Sequence, residues 1–228
     1  MFELIQKGGL LMWPLLLASV LSITFFVERL IFFRREDLKT PHFLSGIINL
    51  IRRRQYAEAL DRCDEAHGPV AQVVYAAIKH NHLQKPELKE FVQEVAQLQV
   101  PRLEQNLPIL ATIGYLSPLL GLLGTVTGMI HAFMQMQVRM GTATAGDLAG
   151  GIWESLITTA AGLVVAIPTY AAYNYFVARM NQIVRDMERA GIEVVQAITE
   201  KSSIIDFQES FTTKNENGGS VPQTQNKG

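Results

Sequence analysis

At 228 residues, with 48% hydrophobic side chains and 18% charged ones, the chain fits one or two soluble domains unless its apolar residues are gathered into membrane-length runs. Twenty Lys and Arg against 21 Asp and Glu leave a net charge of -1, which gives no reason to expect a nucleic-acid partner. The single cysteine, Cys63, excludes an intrachain disulfide and a cysteine-based metal cluster.

The apolar residues are gathered. From Gly8 to Val27 no charged residue occurs, and the run resumes past Glu28 and Arg29 as "LIFF". That is about the 20 residues a spanning helix needs, so residues 10–33 are expected to form a first membrane helix behind a short N-terminal segment, 1–9. The run exceeds a signal-peptide core of about 7 to 15 residues and its basic residues follow it, which reads as a retained anchor.

Residues 34–106 read as a helical domain. "FLSGIINLIRRRQYAEALDRCDEAHG" has apolar positions at Ile47, Ile48, Leu50, Ile51, Tyr56, Ala59 and Leu60, the spacing of one amphipathic helix that stops at Gly68-Pro69. "VAQVVYAAIKH" predicts another helix. Pro86 opens a longer one whose early acids suit a helix N-terminus, with Pro101 and Pro108 expected to kink it. "YAEALDRC" looks like a tetratricopeptide fragment, but no 34-residue repeat recurs. Arg52 to Arg54 read as a solvated face.

No enzyme motif appears. There is no Gly-Lys-Ser or Gly-Lys-Thr phosphate loop, Gly-x-Ser-x-Gly elbow or His-Glu-x-x-His pair. Of the five histidines only His80 and His82 are close in sequence, and two apart on a helix they would not face each other. No metal or cofactor is expected.

A second span is predicted over 107–136, where only Tyr115 and His131 are ionisable, and a third over 148–178, where the only charged side chain is Glu154. Residues 137–147 form the turn between them. In the second span Gly114, Pro118, Gly121, Thr125, Gly128 and Ala132 recur at steps of four and three along one helix face, with Gly124 close by. The third span answers with Gly151, Ser155, Thr159, Gly162 and Ala166. Small residues let helix backbones approach in lipid, so Gly114, Gly121, Gly124, Gly128 and Gly162 are assigned to helix packing.

Lys and Arg cluster after the first span, before the second and after the third. The positive-inside rule then puts the N-terminus and the 137–147 turn outside, and 34–106 and the C-terminus in the cytoplasm. From Asp147 the helical pattern runs to about Glu200, on the order of 80 Å, so residues 179–201 are expected to form a cytoplasmic stalk. Residues 202–228 read as a disordered tail.

Glu154 is the anomaly. A carboxylate at the bilayer centre costs at least ~2.5 kcal/mol, so such groups usually face protein or a water path. Two readings are open: it reaches the headgroups beside Trp153, or it lies inside the membrane with Thr125, Thr158 and Thr159 as a polar lane. Burial disfavours the charged form of a carboxyl group, which suits a proton relay. Each threonine also has the plainer option of bonding its own preceding carbonyl.

"PLLGLLGTVTGMIHAF" (118–133) and "GIWESLITTAAGLVVAIPTYAAYNYF" (151–176) resemble the paired signature of the MotA/TolQ/ExbB proton channel proteins, and three spans with a large first cytoplasmic segment resemble the ExbB and TolQ branch rather than four-span MotA. Trp153 and Ser155 depart from the small residues usual beside the glutamate. The resemblance implies an all-α membrane protein assembled as a homopentamer around a central pore. Two copies of a single-span ExbD- or TolR-like partner would insert there and work on a TonB- or TolA-like protein. It also implies that Thr125, Glu154 and Thr159 match the family's polar positions. Each proton crossing 100 mV supplies ~2.3 kcal/mol for such work.

Overall fold

A computed structural model describes residues 10–35, 40–66, 68–138 and 145–216. Among them every regular element is a helix: α1 Met12–Arg35, α2 Thr40–Arg52, α3 Tyr56–Glu65, α4 Pro69–Lys79, α5 Lys85–Glu104, α6 Leu107–Val138 and α7 Ala145–Glu216. They belong to two compact units, one made of Met1–Asp37 and Pro101–Gln182, the other of Leu38–Val100 and Ile183–Gly228.

The first unit carries the three membrane-length helices. Met12–Arg35, Leu107–Val138 and a stretch of α7 from Ala149 are long and apolar enough to cross a bilayer, as the composition predicts. Pro14 lies in the first turn of α1, where a missing N–H breaks no helical bond. Leu15, Ser22 and Arg29 are buried at seven-residue spacing, while Leu17, Val20, Ile23, Val27 and Ile31 face outward. The buried side of α1 packs on α7. Ser22 Oγ and Thr169 Oγ1 are 2.6 Å apart, and the Phe26 and Phe33 rings each lie 5.6 Å from that of Phe176. Contacts that advance together along both helices make α1 and α7 parallel.

The second unit is built of short helices on an aliphatic core. Ile47, Ile51, Ala59, Val73, Val74, Ala77 and Leu88 are almost fully buried, together with Met187, Ala190 and Val194 of α7. Gly191 allows the approach, because a Cβ there would stand 2.8 Å from Val92 Cγ1. Cys63 belongs to this core. Its burial pushes the thiol from its ordinary value near 9 up to about 12.

Three expectations are corrected. The segment read as one helix up to Gly68 is two, because Arg54 adopts a left-handed conformation, φ 62°. Gln55 N–H bonds Leu50 O at 3.0 Å and Arg54 N–H bonds Ile51 O at 3.1 Å, which satisfies the last carbonyls of α2 without the glycine that usually marks such an end. The expected kink is instead a break: Pro101 is accommodated within α5, Asn106 takes φ 62°, and α6 starts at Leu107 with Pro108 in its first turn. Finally, α7 continues to Glu216, so residues 202–216, expected in a disordered tail, are helical. An existing helix extends without paying for a new nucleus, and Ile204, Phe207 and Phe211 keep the helical spacing. Residues 217–228 lie outside the described residues, as does segment 1–9. Of the predicted turn 137–147, the ends are helical in α6 and α7 and 139–144 lie outside.

Candidate functional site

The seam between α6 and α7 is built from glycines. A Cβ on Gly151 would stand 2.7 Å from Ala132 Cβ, one on Gly128 2.9 Å from Ser155 Cβ, and one on Gly124 2.5 Å from Thr158 Cγ2. Farther along, a Cβ on Gly121 would be 3.0 Å from Thr159 Cα, and one on Gly162 would be 2.5 Å from Ser117 O. At Gly114 the approach opens to 3.5 Å, against Tyr170. The partners on α7 rise as those on α6 fall, so the helices are antiparallel and pack backbone to backbone. This is the contact geometry small residues permit in lipid, where apolar burial gives helices little drive to associate.

The hydroxyls line this seam in different ways. Thr159 Oγ1 donates across it to Gly121 O at 2.8 Å. Thr158 is buried and donates to Glu154 O, one turn earlier, at 2.9 Å. Thr125 is half-buried and donates to Leu122 O of its own helix at 2.6 Å. Two of the three therefore make the local bond open to any helical threonine, and one ties the two helices together.

Glu154 is half-buried at the rim of the seam, between exposed Trp153 and buried Ser155, whose hydroxyl donates to Ile152 O at 2.7 Å. At 100° per residue Thr158 lies about 40° around α7 from Glu154, and Thr159 about 140°. The carboxylate and the Thr159 hydroxyl thus leave the α6 contact on opposite sides. No group of three or more metal-ligating side chains occurs among the described residues.

Sequence reasoning missed a second polar site at the other end of α1. Arg29 is 1% exposed, with Nη2 3.3 Å from Glu28 Oε1 and its guanidinium 4.8 Å from the centre of the Phe32 ring. Among the described residues its Nε and Nη1 have no hydrogen-bond partner. The Asn106 amide nitrogen also donates to the Glu28 carboxylate, with Nδ2 2.9 Å from Oε1 and 2.7 Å from Oε2, and so clamps the left-handed residue between α5 and α6 to α1. The signal was visible as two adjacent charges inside an apolar run. The buried Ser22–Thr169 pair gave none, since each residue is one of several hydroxyls in its span.

The model of the MotA/TolQ/ExbB proton channel family matches residues 65–189, which include the whole α6–α7 seam. The chain belongs to that family. An ExbB-like biopolymer transport protein of Synechocystis is 35% identical over 183 residues, covering 77% of this chain and 70% of the relative. Biopolymer transport protein exbB1 of Vibrio cholerae is 31% identical over 176 residues, 74% of this chain and 75% of the relative. The Tol-Pal system protein TolQ of Haemophilus influenzae is 46% identical over 88 residues, 39% of this chain and 38% of the relative. Among solved structures, a chain of C. jejuni MotAB superposes with a TM-score of 0.60 over 85% of this chain and 77% of its own, at 17% identity, which is a likeness of fold. Within the family the chain groups with the ExbB and TolQ branch, and it is a multi-pass membrane protein.

Proposed function

We propose that the chain is the wall-forming subunit of an ion-driven motor in the bacterial inner membrane. Five copies ring a central pore, two copies of an ExbD-like single-span partner insert in it, and proton flow past them works on a TonB-like protein that energises transport across the outer membrane. In this reading the N-terminus and the 137–147 turn are periplasmic, and 34–106 and the stalk after residue 178 are cytoplasmic. The glycines of the α6–α7 seam hold two helices as one stave of the wall. Glu154 exchanges protons with the partner with Thr158 beside it on α7, while Thr159 supplies a hydroxyl on the opposite side of the seam and Thr125 one on α6.

The observation that carries the reading is Glu154: the only charged side chain in residues 148–178, half-buried at the edge of a seam too tight to be incidental. A carboxylate kept in lipid at a cost of at least ~2.5 kcal/mol needs a use, and a charged group inside a spanning helix is a functional residue by default. A TolQ-like role in envelope maintenance is the second reading, favoured by the 46% identity to TolQ over 88 residues. A MotA-like flagellar role ranks below both.

Expression of the chain with its partner in cells lacking the native pair tests the proposal. Glu154→Ala should abolish energised work while the oligomer still assembles. Full activity of that variant would reject a required role for the carboxylate. Rescue of an uptake defect rather than an envelope defect would separate the first reading from the second.

A further inference from the structure

Helix α4 ends at Lys79, and residues 80–83 fold into a turn in which Asn81 N–H bonds Ile78 O and Leu83 N–H bonds His80 O. His80 and His82 are therefore not on a helix. The expectation that they point apart is overturned, since their ring centres are 5.9 Å apart and the rings are tilted by 40°.

The tautomer of His80 follows from its partner. Nδ1 lies 3.0 Å from Ala76 O, and a carbonyl can only accept, so Nδ1 carries the proton and Nε2 keeps its lone pair. Phe91 of α5, 4.3 Å away between ring centres, limits the rotation of the imidazole. An imidazole with one nitrogen committed to a backbone carbonyl and the other left as a donor of electrons is the arrangement found at metal-ligating histidines. His82 is exposed and contributes nothing to the core.

We propose that His80 and His82 form a two-imidazole binding site for a divalent transition-metal ion of the Zn²⁺, Cu²⁺ or Ni²⁺ class. A bound nitrogen stands about 2.0–2.1 Å from zinc and about 1.1 Å from its own ring centre, so two tetrahedral imidazole ligands have centres ~5.2 Å apart. The 5.9 Å observed is within a small side-chain rotation of that value. Imidazole nitrogen suits these three ions and not calcium or magnesium, which take oxygen. Because no third ligating side chain clusters here among the described residues, water completes the shell. The ion would fasten the end of α4 to the turn that leads into α5.

The test uses the full chain, purified in detergent without a polyhistidine tag and titrated with Cu²⁺ under electron paramagnetic resonance. The first equivalent per chain should show hyperfine structure from two nitrogens, and prior saturation with excess Zn²⁺ should weaken its binding. His80→Ala and His82→Ala should each weaken binding at least about tenfold, the loss that even an outer-shell change can cause, while His42→Ala leaves it unchanged. The nitrogen count of the unmutated chain stands even if a variant misfolds. A first equivalent with one nitrogen or none, or binding unaffected by both variants, would overturn the site.

Discussion

Gly162 on α7 and Ser117 on α6 meet so closely that a methyl group on the glycine would stand 2.5 Å from the Ser117 carbonyl oxygen. That oxygen is fixed in a helix backbone, and the same methyl would meet Gly121 Cα at 3.2 Å, so neither neighbour can turn aside. Gly162→Ala should push the two helices apart and cost about 1–3 kcal/mol, the usual cost of overpacking. Gly46 in α2 is the control: a Cβ there meets nothing within 4 Å, and Gly46→Ala should stabilise by about 0.5–1 kcal/mol through helix propensity. Thermal unfolding of both variants in one detergent checks the contrast. Shifts of the same sign would show that the seam is not the tight contact described.

Asn106 depends on two features at once, a left-handed backbone and two hydrogen bonds to the Glu28 carboxylate. Asn106→Gly keeps the first and loses the second, whereas Asn106→Val loses both. Left-handed backbone costs a branched residue about 1–2 kcal/mol, and a hydrogen bond to an exposed charge contributes about 1 kcal/mol. Unfolding temperatures should therefore fall in the order Asn, Gly, Val. A valine variant as stable as the glycine variant would remove backbone strain from the explanation.

Why one part of the molecule was legible and another was not follows from these residues. Long apolar runs have few alternatives to spanning helices, so α1, α6 and the membrane part of α7 could be read from hydropathy. The glycine stripe named Gly121, Gly128 and Gly162 because the period of a helix is fixed. It named Pro118 and Thr125 as well, where the buried residues are their neighbours Ser117 and Gly124. A one-residue rotation of a helix is set by its packing partner, which one span's sequence does not encode. The break at Arg54 was hidden because arginine is not a turn signal, and the Glu28–Asn106 clamp joins residues 78 apart in the chain. Glu154 stood out by charge alone, but its place at the rim rather than inside the seam needed α6.

Cys63 should be slow to alkylate. Its thiol is buried and pushed up to about 12, so little thiolate exists at pH 8 in the folded chain, and maleimide should react far faster after denaturation. The same shift makes stability depend on pH. Above about 9 the unfolded chain releases this proton while the folded chain keeps it, so the contribution of Cys63 is complete below 9 and is lost as pH rises toward 12. Cys63→Ala should flatten that part of the stability profile. An unchanged alkaline slope would assign it to other groups.

Proton flux into vesicles is the most direct measure of the role given to Glu154. The chain and the single-span partner proposed for it, co-purified and reconstituted with an imposed potential, should pass protons, and Glu154→Gln, which keeps the size and removes the exchangeable acid, should reduce that flux to the level of protein-free vesicles while the assembly stays intact by mass. Flux in the Glu154→Gln complex equal to that of the unmutated complex would contradict the account.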